Sequence, residues 1–282
     1  MAAAVLSSSR NPARSATIQN TMTKLISLQE SVGLLPENGG VLALGGVTNY
    51  RRPMAFVLAT LANPPSQPMT LLTFTAGLES DLLVGAGLIA KVRTCYFGLE
   101  AFGLAPNFTQ ASDLEIIEES EASLALGLRA TLGKVGFMPS LAWQGTDLMK
   151  LRPDVKEISD PYSGEVLTAF PAVHCDLAVI HALRADPMGN TQLGQNIGVD
   201  RELAYATDKV LITAEEIVSR LDQADVDGSV VTAVAEAPKG AWPTSCHPNY
   251  PLDGQEFLNY VESAGTEGYD ALVQSWADRH LH

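Results

Sequence analysis

Two glycines, two arginines and a proline crowd into residues 41–58, which read Val-Leu-Ala-Leu-Gly-Gly-Val-Thr-Asn-Tyr-Arg-Arg-Pro-Met-Ala-Phe-Val-Leu. Gly45 and Gly46 stop an apolar run, and Pro53 opens a new apolar-periodic stretch. That order predicts a buried strand, a tight turn, and a helix with proline in its first turn. A strand end that feeds a helix N-terminus presents free backbone N–H groups, suited to a carboxylate, a phosphate or a developing oxyanion. Glycine is required where a ligand must touch the backbone. The same residues also satisfy a well-made strand-to-helix turn that binds nothing. Arg51 and Arg52 carry planar donors able to hold a carboxylate or phosphate in two bonds, against the alternative that they face solvent.

Other residues invite the same double reading. Glu121 follows Glu118 and Glu119. Acids in a first helical turn are ordinarily solvated and favoured by the helix dipole, whereas a buried carboxylate there would serve as a base. His181 ends an apolar run, as a core histidine bonded to backbone or as a catalytic base. His174 and Asp176 share one strand face, but no third ligand is spaced for a metal, so no metal site is expected. Glu215 and Glu216 fit helix capping, and Asp186 and Asn190 fit turn chemistry. Cys95, Cys175 and Cys246 are far apart and odd in number. A disulfide framework or zinc ribbon is therefore not expected, and a reducing cytoplasm suits them.

The elements that would position these residues alternate between the two periods. Strands are predicted over 41–44, 69–75, 92–97, 137–141, 166–173, 177–181, 209–213 and 230–236. Helices are predicted over 21–35, 53–62, 114–132, 201–206, 214–221, 253–264 and 269–277, with a short apolar stretch over 82–88. This is an α/β chain with an open, mostly parallel sheet and flanking helices. Ligands of such sheets sit beyond the C-terminal strand ends. The loops at Gly45-Gly46, Thr75 to Gly77 and Gln144-Gly145-Thr146 all follow strands and are expected to converge there. Residues 21–282 read as one domain. Residues 1–20 read as a disordered extension, although a run holding Arg10 and Arg14 without acids also has the look of an organelle presequence.

The chain has 282 residues, 46% hydrophobic, with 18 basic and 32 acidic side chains and a net charge of −14. An acidic surface argues against nucleic acid or anionic membrane as the main partner, and no apolar run reaches the length of a membrane span.

Several ordered motifs also resemble one family. Gly45-Gly46 through Arg51-Arg52-Pro53 is similar to the Gly-Gly…Arg-Lys/Arg-Pro turn of family I CoA-transferase alpha subunits, the glutaconate enzyme in particular. Residues 170–190, with Asp176, Ile180-His181-Ala182 and Asp186-Pro187-Met188-Gly189, resemble the family's strand and the turn after it. Residues 137–139 with Gln144-Gly145, residues 212–217 and residues 236–243 follow in the same order. The resemblance implies an open α/β fold, acyl-CoA thioesters as substrates with no further cofactor, and a beta subunit that supplies the nucleophilic glutamate. It implies substrate or CoA binding at Gly45, Gly46, Asn49, Arg51, Thr75, Gly77, Gln144, Gly145 and Thr146. The chain also resembles the alpha-like subunit of a steroid-degrading hydrolase of the same fold, in which a glutamate of this chain type is catalytic. Counting back from Pro139 places that glutamate at Glu121. The hydrolase carries an arginine two residues after the matching proline, where this chain has Leu141. A third reading is a non-catalytic acyl-CoA-binding half of a complex.

Overall fold

The computed structural model describes residues 23–36 and 38–281. The extension expected over residues 1–20 lies outside them. In chain order the first half comprises β1 (Leu25–Ile26), α1 (Leu28–Ser31), β2 (Val41–Leu44), α2 (Met54–Ala62), β3 (Met69–Thr73), α3 (Leu78–Gly85), β4 (Ile89–Thr94), α4 (Pro106–Gln110), β5 (Glu115–Glu118) and α5 (Glu121–Leu132). The second half comprises β6 (Phe137–Ser140), α6 (Leu148–Leu151), β7 (Lys156–Ser159), β8 (Val166–Pro171), β9 (Cys175–Ala185), β10 (Thr191–Gln192), α7 (Asp200–Ala206), β11 (Thr207–Ile217), β12 (Ala233–Glu236), α8 (Gly254–Ser263) and α9 (Tyr269–Leu281).

The main sheet runs in the order β1-β12-β11-β9-β2-β3-β4-β5, every neighbouring pair parallel, with β10 antiparallel on β9. A small antiparallel sheet, β6-β8-β7, stands beside it. Alternation along the central strands feeds two cores. Leu42, Leu44, Leu71 and Val92 meet α2, α3, α8 and α9 on one face, while Ala43, Leu72 and Ile180 meet α5 and α7 on the other. Both faces of the parallel strands are thus covered, and near-continuous apolar runs follow. Helix α2 is buried from Met54 to Thr60. It is apolar all round because it lies between the sheet and α9 rather than on the surface. No helix among the described residues is long and apolar enough to cross a membrane.

Three expectations are corrected. The helix over 114–132 is a strand and a helix. Ile116 and Ile117 pair with Val92 and Arg93 of β4, and α5 begins only after the Ser120 cap, which exchanges hydrogen bonds with Ser123. The helix over 214–221 does not form. β9 extends to Ala185 and offers β11 a parallel ladder as far as Ile217, so pairing overrides the local preference of Glu215 and Glu216. In residues 21–35 the helical part is short, because Leu25 and Ile26 pair with Val234 and Ala235 of β12. Helix α3, seen in the sequence only as an apolar stretch over 82–88, starts at Leu78.

The last helix adds a titration. Burial holds the His280 imidazole down at about 4, against the opposing pull of the Trp242 carbonyl that its Nε2 meets at 3.0 Å. A histidine whose folded pKa lies below its unfolded one stabilises the fold fully above about pH 6.5, and that contribution is lost as pH falls towards 4. Thermal midpoints are therefore expected to drop between about pH 6.5 and 4.5, and His280→Phe to flatten that slope, read by scanning calorimetry across the window.

Candidate functional site

In register, Leu44, Thr73, Thr94 and Glu118 end four neighbouring parallel strands. The loops after them form one edge, which carries the residues singled out above. Gly45 and Gly46 follow β2, Thr75 and Gly77 follow β3, Cys95 follows β4, and Glu119 to Glu121 follow β5.

The glycine turn does not offer free N–H groups. Gly45 N donates to the Val179 carbonyl at 2.9 Å, Val47 N to the Tyr50 carbonyl at 3.0 Å, and Thr48 N to Thr75 Oγ1 at 2.7 Å. Gly46 N donates to Asp200 Oδ1 at 2.9 Å. A Cβ on Gly45 would lie 2.8 Å from that same oxygen, and one on Gly46, at φ +87°, would lie 2.6 Å from the Arg51 carbonyl. The glycines are required because the chain and the head of α7 close on each other there, and the expected backbone cradle for an anion is filled by Asp200.

Arg51 does hold a carboxylate, but an internal one. It is wholly buried, with Nη2 on Asp200 Oδ2 at 2.7 Å and on the Asn196 carbonyl at 3.0 Å, and Nη1 on the His181 carbonyl at 2.6 Å. This corrects the solvent-facing expectation for its guanidinium, and both of its terminal nitrogens are already engaged within the chain. Arg52, equally buried, pairs with Glu79 of α3 and bonds Thr73 Oγ1 at 2.9 Å. Glu79 also receives Ser80 Oγ and, at 3.3 Å, Gly77 N.

Around Gly77 the chain keeps hydrogen-bonding capacity in reserve. Asn49 Oδ1, Glu79 Oε2, and Nε and Nη1 of Arg52 are buried without a partner among the described residues. A Cβ on Gly77 would come within 2.9 Å of the Thr48 carbonyl, 3.1 Å of Glu79 Oε2 and 3.7 Å of Asn49 Oδ1. Asn49 and Gly77 are thereby brought together, and Thr75 meets the same turn through Thr48 N.

The β5 end is built on Glu119, a residue that its place in a run of acids marks as solvated. It is instead buried and paired with Arg93, whose Nε and Nη2 lie at 2.7 and 2.6 Å, and with Arg152 Nη1 at 2.8 Å; Ser123 Oγ donates to it as well. Arg152 also donates to the Glu118 carbonyl at 2.9 Å and grips Asp154 with two bonds of 2.8 Å. Those bonds hold the Asp154 carboxyl below the usual range. Glu121, two residues on, is exposed in the first turn of α5. Trp143 Nε1 donates to Ser120 Oγ at 2.7 Å while its ring packs edge-on against Phe170, 5.1 Å between centroids. That bond brings the Gln144-Gly145-Thr146 loop to the β5 end, beside Glu121. Gln144, Gly145 and Thr146 are exposed. Gln144 Nε2 donates to the Val166 carbonyl, and Thr146 caps Trp143. The loop thus joins the same edge but is anchored there at Ser120 rather than at the glycine turn. Burial pushes the Cys95 thiol up to about 12, with the charges of Glu119 and Glu121 adding to the effect.

A last network lies in the C-terminal halves of β9 and β11. His181, buried, meets Thr213 Oγ1 at 2.9 Å and Glu215 Oε1 at 2.8 Å. Glu215 also receives Tyr250 OH and, at 2.7 Å, Lys239 N. Burial alone would raise the Glu215 carboxyl, but His181 and the other donors outweigh it and hold it below its ordinary range. Glu215 is therefore not a helix cap, and His181 is tied through its side chain to Glu215 and Thr213. His181, Glu215 and Cys246 lie within 4.8 Å of one another, but the Glu215 oxygens are already engaged by hydrogen-bond donors. Asp176 Oδ2 accepts from Val41 N at 2.6 Å, and Asp186 closes its turn by accepting from Met188 N and Asn190 N, both at 3.0 Å.

The residues that sequence reasoning missed are the counter-charges: Asp200, Glu79, Arg93 and Arg152. Each lies between 26 and 149 residues from its partner, at a separation that no local pattern encodes. Removing one member of a buried ion pair leaves the other uncompensated, at about 3–5 kcal/mol. Arg51→Met is expected to lower the urea unfolding free energy by about that much, and Arg51→Met with Asp200→Asn by less than the sum of the two single changes. A change in substrate KM at unaltered stability would instead place the Arg51 guanidinium on the ligand.

A family model described as Coenzyme A transferase matches residues 26–237. The chain is 33% identical over 271 residues to the alpha-type chain of 3-oxoadipate CoA-transferase from Pseudomonas knackmussii, covering 92% of this chain and 94% of that one. It is 29% identical over 265 residues to the cholesterol ring-cleaving hydrolase IpdA subunit of Rhodococcus jostii, covering 86% and 88%. Among solved structures, the decarboxylase AibA/AibB superposes with a TM-score of 0.84 at 26% identity over 92% of this chain and 100% of that one. Glutaconate coenzyme A-transferase of Acidaminococcus fermentans superposes with a TM-score of 0.82 at 27% identity over 90% and 89%.

Proposed function

The chain belongs to the Coenzyme A transferase family, and from that membership we propose how it divides a reaction with a second chain. It is the alpha subunit of a heteromeric CoA-transferase. The substrate is an acyl-CoA thioester, and the reaction calls for no further cofactor. A glutamate of the beta-type chain attacks the thioester carbonyl and CoA thiolate leaves, giving a mixed anhydride. The thiolate then attacks the glutamyl carbonyl and expels the free acid, leaving a glutamyl–CoA thioester for the second acid to take.

The observation that supports this division is the state of the buried carboxylates on this chain's edge. Asp200 is taken by Arg51 and Gly46 N, Glu79 by Arg52, Glu119 by Arg93 and Arg152, and Glu215 by His181 and Tyr250. A nucleophile needs a free oxygen that the substrate can reach: Asp200, Glu119 and Glu215 have both oxygens engaged, and Glu79 keeps only a buried Oε2 while its Oε1 is held by Arg52 and Ser80. This chain's share is a wall of the site at Asn49, Thr75 and Gly77, with Gln144-Gly145-Thr146 reaching in from the β5 end. The named transferases act on 3-oxoadipate and glutaconate, both dicarboxylates, which makes a short dicarboxylic acid the first acceptor to test.

A second reading has its own observation. Glu121 is an exposed carboxylate at the head of α5, beside the Gln144 loop, and in a ring-opening hydrolase it would act as the base. Reconstituted with its beta-type chain, the Glu121→Gln enzyme is expected to turn over within about twofold of wild type, and hydroxylamine or borohydride is expected to trap a glutamyl–CoA thioester during turnover. A loss of about 10²–10⁴-fold in Glu121→Gln, with no trapped thioester, would select the hydrolase.

A further inference from the structure

The small sheet packs one face against the chain at Thr168 and Phe170 and leaves an apolar patch on the other. Residues two apart on a strand share a face, as do partners directly across a ladder. The registers Phe137↔Pro171, Pro139↔Ala169 and Ile158↔Leu167 therefore put Phe137, Pro139, Ile158 and Leu167 on one face. Met138, Ser140, Glu157, Val166, Thr168 and Phe170 take the other face, which is closed at Thr168 and Phe170, 1% and 2% exposed, with Phe170 against Trp143.

The first face is open. Phe137 is 39% exposed, and flanking Val135 and Leu141 are 47% and 54% exposed. Val135, Phe137, Pro139, Ile158 and Leu167 line a shallow depression of about 530 Å³. An antiparallel sheet with one wet face ordinarily alternates apolar and polar residues. Here the solvent-facing side carries Phe137, Pro139, Ile158 and Leu167 with Lys156 its one charged residue, while Ser140, Glu157, Ser159 and Thr168 lie on the other side, and a contiguous exposed apolar patch of this kind marks an interaction site.

We propose that this face seats the beta-type chain, an inference that rests on the reading of the protein as one half of a two-chain enzyme. Two observations select that occupant. Leu141 is three residues before Gln144, and Trp143 between them is tied to Ser120. The face thus runs into the edge at which the second chain's carboxylate must arrive. A second copy of this chain is disfavoured by charge: at a net −14 per chain, self-association sets two strongly acidic bodies against each other.

The test is the chain co-expressed with the beta-type chain encoded in its own genome, with association read by titration and by light scattering after gel filtration. Phe137→Asp with Leu141→Asp is expected to weaken association at least about tenfold. Leu258→Asp, on a helix that packs against α9 and the Glu100–Phe102 turn, is expected to leave it unchanged. Undiminished association of the double variant overturns the proposal, as does a homodimer of this chain that the same substitutions break. Failure of the two wild-type chains to associate at all overturns the two-chain reading itself. If the double variant folds poorly, deuterium exchange on the wild-type pair decides: protection of residues 137–141 and 158–167 on association supports the face, and unchanged exchange there overturns it.

Discussion

The Arg51–Asp200 ion pair is the contact on which the edge depends. Both partners are buried, and the pair stands because both Asp200 oxygens and both terminal nitrogens of Arg51 are engaged, with Arg51 Nε left without a partner among the described residues. One Asp200 oxygen takes the Arg51 guanidinium and the other takes Gly46 N, while Arg51 reaches on to the His181 and Asn196 carbonyls. A single carboxylate at the start of α7, through Arg51, thereby ties the end of β2 to the middle of β9. The price is a backbone so close that only glycine fits at Gly45.

The same device recurs along the edge. Arg52 with Glu79 ties the start of α2 to the start of α3, and Glu119 with Arg93 and Arg152 ties β4 and β5 to the loop leading into β7. Low dielectric strengthens such pairs and makes any unpartnered atom costly. The atoms of Asn49, Arg52 and Glu79 that lack a partner among the described residues therefore stand out, with Arg51 Nε the further such atom on the edge. Saturation also shapes the chemistry. An edge whose carboxylates are bound in ion pairs is rigid and well suited to present a wall to a thioester, and poorly suited to provide the attacking group. That is the physical sense of the proposed division of the reaction between two chains.

Much of the architecture was legible in the residues alone. The run of apolar strands and the Gly-Gly-to-Pro53 order specified an α/β chain with a mostly parallel sheet, because burial on both sheet faces leaves continuous apolar runs and a strand-to-helix turn needs glycine. The turn at Asp186 to Asn190 followed from side chains that bond their own backbone. Elements failed where pairing overruled local preference. Glu215 and Glu216 look helical until β9 supplies a ladder, and residues 114–120 look helical until Ile116 and Ile117 meet β4.

For the site, the sequence determined which residues reach the edge, since position after a strand is a local property. It placed Gly45, Gly46, Asn49, Arg51, Thr75, Gly77, Glu121 and the Gln144 loop there. Only the tertiary structure decided what they do. Whether an arginine grips a ligand or an internal acid depends on which carboxylate lies within hydrogen-bonding reach. Asp200 comes to Arg51 from 149 residues away, and Arg152 to Glu119 from 33. Long-range charge pairing leaves no periodic trace in a sequence, because it is fixed by the packing of whole elements and not by the spacing of residues along the chain.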